Sequence, residues 1–483
     1  MLASVALAGC GHGLPPLPRS DAPPPVTLNF AHLRHLTRDL TVAGHSVRVV
    51  ALYANAPSYV PTGSPRRDGF EGIASVDDAA RAAVLYLRDY ETTGDTLVRH
   101  EALGLLAFVA AMEQGDGEFL NFVDTAGREN RTAVSSRKSM SFWAARGLWA
   151  FGEAEQVLGA GLPSALRGAR DRAVTRMARD IDAGRLIGGS ATATSEALLG
   201  LLAFERAAPD PARAALALRT ARLLVALAHG DATHAPWGAH LDTPASAWHA
   251  WGARTVAALA EAGVVLAHPE LIAAARVEAD GLWSRFLLAA PVPASVAPDG
   301  AAEWYPQIAY GVGSIAEGLV ALADATGERR YAVEGGLVAA WLLGANPAGI
   351  AMYDAHTGRT FDGVDGPAPL RLNRNAGAES TVESLLALQA VSRNADAVEY
   401  LRYRPAGATS PSLASVPAAR TYTGPGGRLE LRMRGGRLEL TESHGPAGPI
   451  TLTYWPAANP SEVRLATLLT EHWNREHPDV QVR

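Results

Sequence analysis

The stretch SVDDAARAAVLYLRDYETTGDTLVRHEALGLLAFVAAM, residues 75–112, contains two helical patterns separated by a tight turn. Apolar residues recur at three- and four-residue steps on both sides of residues 92–95, Thr-Thr-Gly-Asp. This spacing is typical of two amphipathic helices joined by a short connection. We therefore predict helices over 78–90 and 97–113 that pack as an antiparallel hairpin.

The same pattern continues to about residue 393. Further helices are predicted at 139–158, 166–182, 193–207, 210–228, 245–264, 268–288, 309–325, 329–343 and 378–392. Short turns alternate with long loops at 114–138, 183–192, 229–244, 289–308 and 344–377. Hairpins with tight turns at one end place all the long loops on one face.

Six such hairpins predict a mainly α protein, an (α/α)6 toroid, whose twelfth helix is a short piece near 396–401. An open helical solenoid is the alternative, because stacked helix pairs also alternate short and long connections. The absence of a fixed sequence period and the unequal loops favour the closed ring.

Both ends of the chain carry β patterns. A short N-terminal β-hairpin is predicted from residues 40–45 and 47–53, and two strand-like runs at 429–433 and 438–441 flank a Gly-Gly pair. The last residues predict a β-α-β unit, with strands at 450–455 and 480–482 around a helix at 461–476. The predicted domains are a signal and tether (1–26), the toroid (27–404), a linker with a short β segment (405–448) and a truncated β-α-β start (449–483).

Composition excludes several classes of function. The 483 residues include 43 Lys and Arg against 49 Asp and Glu, a formal net charge of -6, and no basic run is present. Nucleic-acid binders usually carry a basic patch, so nucleic acid is not an expected partner. With one cysteine, the chain cannot form an internal disulfide or hold a Cys-based zinc site by itself. No histidine pair has ligand-like spacing and no phosphate loop is present, so neither a metal nor another cofactor is expected.

The single cysteine, Cys10, predicts a location outside the cytoplasm. It follows an apolar run ending Leu-Ala-Gly and precedes a Pro-rich stretch that reaches Pro25. This arrangement resembles the lipobox of bacterial lipoproteins, in which the cysteine is lipidated and anchors the protein to the membrane. An apolar N-terminus with a free thiol is the alternative, because no basic residue precedes Cys10.

Two carboxylates, Asp77 and Asp78, open the first predicted helix. Ser75 and Asp78 have capping-box spacing, and acidic residues in a first turn complement the helix dipole. Two adjacent aspartates exceed what a cap needs. One of them can cap while the other faces the long-loop side.

A second acidic site precedes the last clear helix, after a 34-residue loop rich in Gly, Asn, Asp and Tyr. A loop of this length is more often functional than accidental. Glu379 is the candidate, because Ser380 and Glu383 already have the spacing of a capping box. Tyr353, Asp354 and Asn375 of the same loop are candidate substrate-binding residues.

Ring closure would bring Asp77, Asp78 and Glu379 together on the long-loop face. Two carboxyl groups across a cleft are what glycoside hydrolysis requires, one as acid and one as base or nucleophile. A helix N-terminus stabilises ionised carboxylates, which suits an aspartate base but opposes Glu379 as the acid. Glu379 would need burial or a neighbouring carboxylate to raise its pKa.

Other loops supply aromatic residues that could stack on sugar rings. Glu303, Trp304 and Tyr305 are candidate substrate-binding residues, and Glu303 is also the reserve choice for the acid. Phe119 and Phe122 beside Asp124, and Trp237 beside His234 and His240, are further candidates. Trp149, Trp251 and Trp341 lie at helical spacing and are expected in the core.

The motifs at 71–82, Glu-Gly-Ile-x-x-Val-Asp-Asp-x-x-Arg-Ala, and at 375–385, Asn-x-Gly-Ala-Glu-Ser-Thr-x-Glu-Ser-Leu, carry a family likeness. Over about residues 30–400 the chain resembles bacterial proteins of the six-hairpin glycosidase superfamily. The resemblance implies an (α/α)6 toroid and, in many members, inverting hydrolysis with an Asp base and a Glu acid. Carried over, these are Asp77 or Asp78 and Glu379.

The final 34 residues resemble the N-terminus of the sugar-binding proteins of ABC importers. The expected function is a lipid-anchored extracytoplasmic glycoside hydrolase acting on an oligo- or polysaccharide. The alternatives are a non-catalytic sugar-binding lipoprotein associated with an ABC importer, and a polysaccharide lyase using residues such as Tyr305, Tyr353 and His240. The same fold hosts several reactions, so the fold by itself does not fix the chemistry.

Overall fold

A computed structural model describes residues 26–62, 71–243, 246–290, 292–366, 369–410, 412–443, 450–452, 470, 472 and 480–482. Cys10 and most of the predicted helix at 461–476 lie outside these residues. The described helices are α1 Ala31–Leu36, α2 Val76–Thr93, α3 Thr96–Ala111, α4 Phe142–Leu158, α5 Ser164–Asp182, α6 Ala191–Ala207, α7 Pro211–Val225, α8 Thr255–Val265, α9 Pro269–Glu278, α10 Ser284–Ala289, α11 Ala309–Thr326, α12 Arg329–Ala339, α13 Ala378–Ser392 and α14 Ala395–Val398.

Six antiparallel hairpins form a closed ring. Helices α2, α4, α6, α8, α11 and α13 each pack on the next, and α13 packs back on α2. Their partners are α3, α5, α7, α9 with α10, α12, and α14 with its 3-10 extension Glu399–Arg402. The toroid is therefore confirmed, and the short twelfth helix lies where the sequence placed it.

Burial distinguishes the inner helices from the outer ones. Inner helix α6 is buried from Ala191 to Glu205, whereas outer helix α5 buries only five residues, among them Leu166 and Met177. An inner helix packs against neighbours and against the ring axis, so no face of it meets bulk water. Alanine supplies much of this surface and permits close helix packing.

The N-terminal β-hairpin is present with shifted boundaries. Strands Thr37–Val42 and His45–Val50 pair antiparallel, with Thr37 opposite Val50 and Val42 opposite His45. The turn falls at residues 43–44, so His45 opens the second strand instead of closing the first. The hairpin packs on α3.

The segment predicted as a linker with a short β segment forms an antiparallel sheet, which includes both predicted strand runs. Its strands are Arg404–Pro405, Ala419–Gly424, Gly427–Arg434 and Arg437–Ser443 in chain order. Arg420 Nε donates to Leu288 O at 2.5 Å and Tyr422 Oη donates to Leu287 O at 2.7 Å, both on α10. The sheet is therefore packed against the helices. Beyond it, Ile450–Leu452 and Val480–Val482 pair in parallel, as a β-α-β unit requires.

One predicted helix starts too early. The sequence pattern predicts helix from 245 to 264, but α8 begins at Thr255, and Trp248–His249 pairs instead with Ser295–Val296. Gly252 has φ +74°, a backbone conformation that a helix interior does not allow. In the described part of the chain, no helix combines the length and apolar character needed to cross a bilayer.

Candidate active site

Short strand pairs organise the long loops on one face of the ring. Ala74–Ser75 pairs with Phe122–Val123, and Gly363–Asp365 lies between Gln307–Ile308 and Arg371–Asn373. These pairings surround a cavity of about 350 Å³ at the inner-helix N-termini. Its lining residues are Leu52, Tyr53, Ala54, Asn55, Ser75, Asp77, Asp78, Phe122, Ile308, Tyr310, Asp362, Asn373, Asn375, Gly377, Glu379 and Ser380.

The first helical turn of α2 presents both aspartates to this cavity. Ser75 is the N-cap, and its Oγ accepts from the Asp78 backbone N–H at 3.1 Å. The Ser75 hydroxyl also donates to Asp78 Oδ2 at 2.9 Å. The predicted cap is confirmed, and Asp78 belongs to it while Asp77 is the aspartate free of it.

The guanidinium of Arg81 joins the two acidic sites. Its Nη2 lies 3.1 Å from Asp77 Oδ1, 2.8 Å from Asp78 Oδ1 and 3.5 Å from Glu379 Oε2. Burial by itself would lower the pKa of Arg81, but Asp77, Glu383 and Asp78 raise it well above its usual value. One permanently charged nitrogen therefore faces three carboxyl groups.

Asp77 has a second cationic partner. Arg146 of α4 bonds Asp77 Oδ1 through Nη1, and Tyr310 Oη of α11 through Nη2. Burial raises the pKa of Asp77, but Arg146 and Arg81 outweigh it, so the net pKa is lowered and the group is ionised near neutral pH. Both cations contact Oδ1, which leaves Oδ2 as the oxygen directed to other partners.

Glu379 lies in the first turn of α13, whose N-cap Gly377 packs directly on the chain after the N-terminal hairpin. A Cβ at Gly377 would lie 2.2 Å from Leu52 O, so a side chain there would displace the helix start. About half of the Glu379 side chain is accessible, at 48%. Desolvation by the surrounding protein raises its pKa to about 7 against the pull of Arg81, with Asp78 and Asp77 adding to the rise.

Asp78 and Asp362 also have raised pKa values. Burial raises the pKa of Asp78 to about 6, opposed by Arg81 and assisted by the charge on Asp77. Burial likewise raises the pKa of Asp362 to about 6, although Ser380 Oγ donates to its Oδ1 at 2.7 Å. The cavity therefore contains one strongly acidic carboxyl group and three that hold protons more tightly.

The shared nitrogen limits how far apart the carboxylates can be. Because the 3.1 Å and 3.5 Å contacts meet at Arg81 Nη2, Asp77 Oδ1 and Glu379 Oε2 are at most about 6.6 Å apart, near the lower end of the roughly 6.5–9.5 Å found in inverting enzymes. The same reasoning limits Asp78 Oδ1 and Glu379 Oε2 to at most about 6.3 Å, which includes the roughly 5–5.5 Å of retaining enzymes and lies below the inverting range.

Glu383 corrects the second capping-box prediction. It is fully buried on α13, where its Oε1 accepts from Arg81 Nη1 at 2.6 Å and its Oε2 from Arg254 Nη2 at 2.5 Å. Arg254 continues to Glu317 Oε1 at 2.7 Å, and Arg146 pairs with Glu196 at 2.9 Å. Buried arginines and glutamates thus neutralise each other along the ring axis, and Glu383 holds the guanidinium of Arg81 in position.

The remaining candidate binding residues are not all at the cavity. Asn375 lines it and accepts from Ala56 N–H at 3.2 Å. Glu303 is exposed and accepts from Ser295 Oγ at 3.1 Å, and neither it nor half-buried Trp304 and Tyr305 lines the cavity. The structure therefore does not place Glu303, the reserve choice for the acid, or its two aromatic neighbours among the residues that line the cavity with Glu379.

Tyr353 and Asp354 have structural contacts instead. Tyr353 is buried, and its hydroxyl donates to Thr27 O at 2.8 Å and accepts from Asn29 N–H at 2.9 Å. Asp354 is exposed and accepts from His356 N–H at 2.9 Å within a turn. The prediction that these two residues bind substrate in the cavity is not supported by their positions.

The other loop aromatics divide in the same way. Phe122 lines the cavity, whereas Phe119 is buried and Trp237 is only 3% exposed. His240 is buried against Glu278 at 2.7 Å, so it is not placed for lyase chemistry in the cavity. Trp149 and Trp341 are buried as expected, but Trp251 is 46% exposed. Within the described residues, no group of His, Cys, Asp and Glu is arranged to hold a metal ion.

Sequence reasoning missed the arginines and Tyr310. Arg81 stands in the Asp-Asp-x-x-Arg motif, and an arginine three or four residues after two acidic ones is a detectable ion-pair pattern. Arg146, Arg254 and Tyr310 come from other inner helices. Their association depends on closure of the ring, which no local spacing reveals.

The fold matches solved structures, although no protein-family model and no curated protein sequence matches the chain. Cellobiose 2-epimerase from Bacillus thermoamylovorans B4167 aligns with TM-score 0.55 and 10% identity, over 75% of this chain and 95% of the other. A sugar epimerase from a ruminal bacterium aligns with TM-score 0.55 and 11% identity, over 71% and 92%. A D-mannose isomerase aligns with TM-score 0.52 and 12% identity, over 71% and 92%.

The class that this architecture defines is the (α/α)6 toroid. The chain shares this fold with the solved sugar epimerases and the isomerase named above. At these identities the likeness concerns the fold, and the chemistry has to be argued from the cavity.

Proposed function

We propose that this protein is a carbohydrate-active enzyme that hydrolyses glycosidic bonds in an oligo- or polysaccharide. The observation that carries the proposal is the set of carboxyl groups around Arg81 Nη2. One of them, Asp77, has a lowered pKa, and another, Glu379, has a pKa raised to about 7. Pairs of carboxyl groups with divergent pKa values are what a base and an acid need at one pH.

Glu379 is the proton donor in this proposal. With a pKa of about 7 it is substantially protonated at neutral pH, and its side chain is accessible from the cavity. A protonated carboxyl group at that position can donate to the glycosidic oxygen as the bond to the anomeric carbon breaks. Arg81 then stabilises the glutamate anion that forms, because its Nη2 is 3.5 Å away.

Asp77 is the base. Its Oδ1 is held by two guanidinium groups, which orient Oδ2 to accept a proton from a water that attacks the anomeric carbon. Asp78 is less suited, because one of its oxygens accepts from Ser75 and the other contacts Arg81. Asp77 is therefore preferred to Asp78 as the base, because one of its carboxylate oxygens remains available for the attacking water.

We propose inversion of configuration. A retaining mechanism would need Asp77 to attack the anomeric carbon directly, but two arginines hold its oxygen and lower its nucleophilicity. The spacing limit of about 6.6 Å reaches the inverting range only at its lower end, so the substrate is expected to widen the Asp77–Glu379 gap when water enters.

The test is cleavage of a panel of α- and β-linked neutral oligosaccharides by the wild type and by Asp77→Asn and Glu379→Gln. Each substitution should lower kcat by about 10²–10⁴-fold while the thermal unfolding temperature is retained. Proton NMR of the first-formed anomer reports inversion or retention. Unchanged cleavage by both variants would remove the assignment, and retention would exclude the water-mediated step.

A second candidate is epimerisation or isomerisation of a sugar, favoured by the names of the solved structures with this fold. That chemistry needs a base able to remove and return a proton next to a carbonyl. Histidine is a frequent choice near neutral pH, and none is among the residues that line the cavity. The NMR assay distinguishes the two functions, because epimerisation changes a sugar without shortening the chain.

We also propose that the protein is anchored outside the cytoplasm through a lipid on Cys10. Its support is the apolar run before Cys10 and the Pro-rich stretch after it. Metabolic labelling with an alkyne-tagged palmitate should mark the wild type and not Cys10→Ser. Labelling of both variants would exclude this anchor. An association with an ABC sugar importer, suggested by the C-terminal resemblance, would appear as co-purification with importer subunits.

A further inference from the structure

An exposed indole adjoins the cavity without lining it. Trp251 lies between the strand Trp248–His249 and α8, on the long-loop face, and is 46% exposed. Its indole lies against the imidazole of His249, with ring centroids 3.5 Å apart and planes 8° from parallel. One face of the indole is therefore covered by protein.

The same histidine fixes the loop. His249 Nδ1 donates to Trp251 O at 2.7 Å, and its Nε2 lies 3.8 Å from Asp242 Oδ1. A ring that stacks on the indole and also holds the backbone carbonyl of the same residue restricts the rotation of both. Trp251 is thus an oriented aromatic surface, which binds a flat partner with little loss of side-chain entropy.

The next residue connects this surface to the catalytic groups. A Cβ on Gly252 would lie 2.4 Å from Thr192 Cγ2 and 3.1 Å from Tyr310 Oη, so its backbone packs directly beside that hydroxyl. Tyr310 Oη accepts from Arg146, which pairs with Asp77. Trp251 is therefore the neighbour of a residue that packs against Tyr310, which lines the cavity.

We propose that Trp251, held by His249, binds a second sugar ring of the substrate outside the catalytic cavity. The inference rests on the proposed function and specifies its substrate as a chain longer than the cavity accommodates. The cavity, about 350 Å³, is at the small end of ligand sites, so a longer glycan must continue across its rim. The apolar C–H face of a pyranose can pack on the exposed indole face, while its hydroxyl groups stay in water.

The experiment compares Trp251→Ala, Trp251→Phe and His249→Ala with the wild type. The probes are di- to hexasaccharides of the series that the wild type cleaves, or of every series in the neutral panel if it cleaves none. Leu97→Ala, another exposed apolar truncation on outer helix α3, is the control. Trp251→Ala should lower kcat/KM about tenfold for the hexasaccharide and leave the shortest cleaved substrate within about twofold. Trp251→Phe should retain part of the kcat/KM for the hexasaccharide that Trp251→Ala loses. His249→Ala should raise KM for the hexasaccharide without lowering kcat.

Binding separates this inference from the proposed function. Quenching of tryptophan fluorescence by the hexasaccharide should weaken in Trp251→Ala on a background of inactive Glu379→Gln. Quenching that depends on Trp251 in a wild type that cleaves nothing would support the platform while contradicting hydrolysis. The platform would be overturned if the wild type cleaves the substrates but both Trp251 variants lose kcat/KM equally at every chain length, or lose none at any length.

Discussion

Asp78→Asn tests the electrostatic account of the acid, because it removes one charge beside Glu379 and keeps the side-chain shape. At a separation of about 6 Å and an effective dielectric constant of about 40, chosen because Glu379 is half accessible, the Coulomb energy is about 1.4 kcal/mol, or about one pKa unit. Arg81 loses one of its carboxylate partners in the same change and interacts more strongly with Glu379. Both effects lower the pKa of the acid.

The assay is the pH dependence of kcat/KM. A general acid must be protonated, so activity falls as pH rises through the pKa of Glu379, near 7 in the wild type. In Asp78→Asn this alkaline limb should move to about pH 6 or lower. The acidic limb, which is set by the pKa of Asp77, should remain at low pH. Asp39→Asn, at an exposed position of the N-terminal hairpin, is the control and should leave both limbs in place.

Two results would refute this reasoning. An active Asp78→Asn with an unchanged or raised alkaline limb would show that Asp78 does not set the pKa of Glu379. A loss of activity beyond about 10³-fold at every pH would instead make Asp78 the base in place of Asp77.

Three further predictions concern Glu379, Glu334 and Glu383. Glu379→Gln should lose far less activity on substrates with a good leaving group, such as nitrophenyl glycosides, than on native glycans, because such groups need no protonation; equal losses would exclude the acid role. Glu334 is fully buried, neither of its oxygens has a hydrogen-bond partner among the described residues, and burial raises its pKa to about 8. Because the pKa of Glu334 is higher in the folded state than in the unfolded state, the folded protein loses stability as pH rises from the unfolded-state pKa to about 8. Glu334→Gln should therefore increase the unfolding free energy at pH 8 by about 2 kcal/mol or more. Denaturant titrations should also show a flatter pH dependence of that free energy. Glu383→Ala should lower the unfolding free energy by about 3–5 kcal/mol, because it leaves Arg81 and Arg254 buried without this partner, and a loss below 1 kcal/mol would show that the axial pairs contribute little.

Local periodicity predicted most helices within a few residues, from α2 to α13. The prediction was wrong where a left-handed residue interrupts an apolar run, as Gly252 does between strand and helix at 245–264. It was also wrong at Ser380 and Glu383, since capping-box spacing describes residues that could cap and not those that do. Glu383 is on the inner face of its helix, and burial in the ring gives it arginine partners instead.

The candidate site was predicted in part. Asp77, Asp78 and Glu379 share the cavity as ring closure implied, and so does Asn375. Tyr353 and Asp354 belong to the same polar loop as Asn375, but Tyr353 contacts the N-terminal segment and Asp354 stabilises a turn. Loop composition indicates polarity, whereas the direction of each side chain depends on strand pairings only two or three residues long.

What the sequence by itself determined is the repeat of helix, tight turn, helix and long loop, because hydrophobic spacing and turn residues act within about twenty residues. It therefore determined the hairpins, the face that carries the loops and the carboxylates at two helix N-termini. Only the tertiary structure decided the protonation of those carboxylates. The pKa of Glu379 depends on burial and on charges supplied by α2 and α4, which lie far away in the chain and meet α13 only when the ring closes.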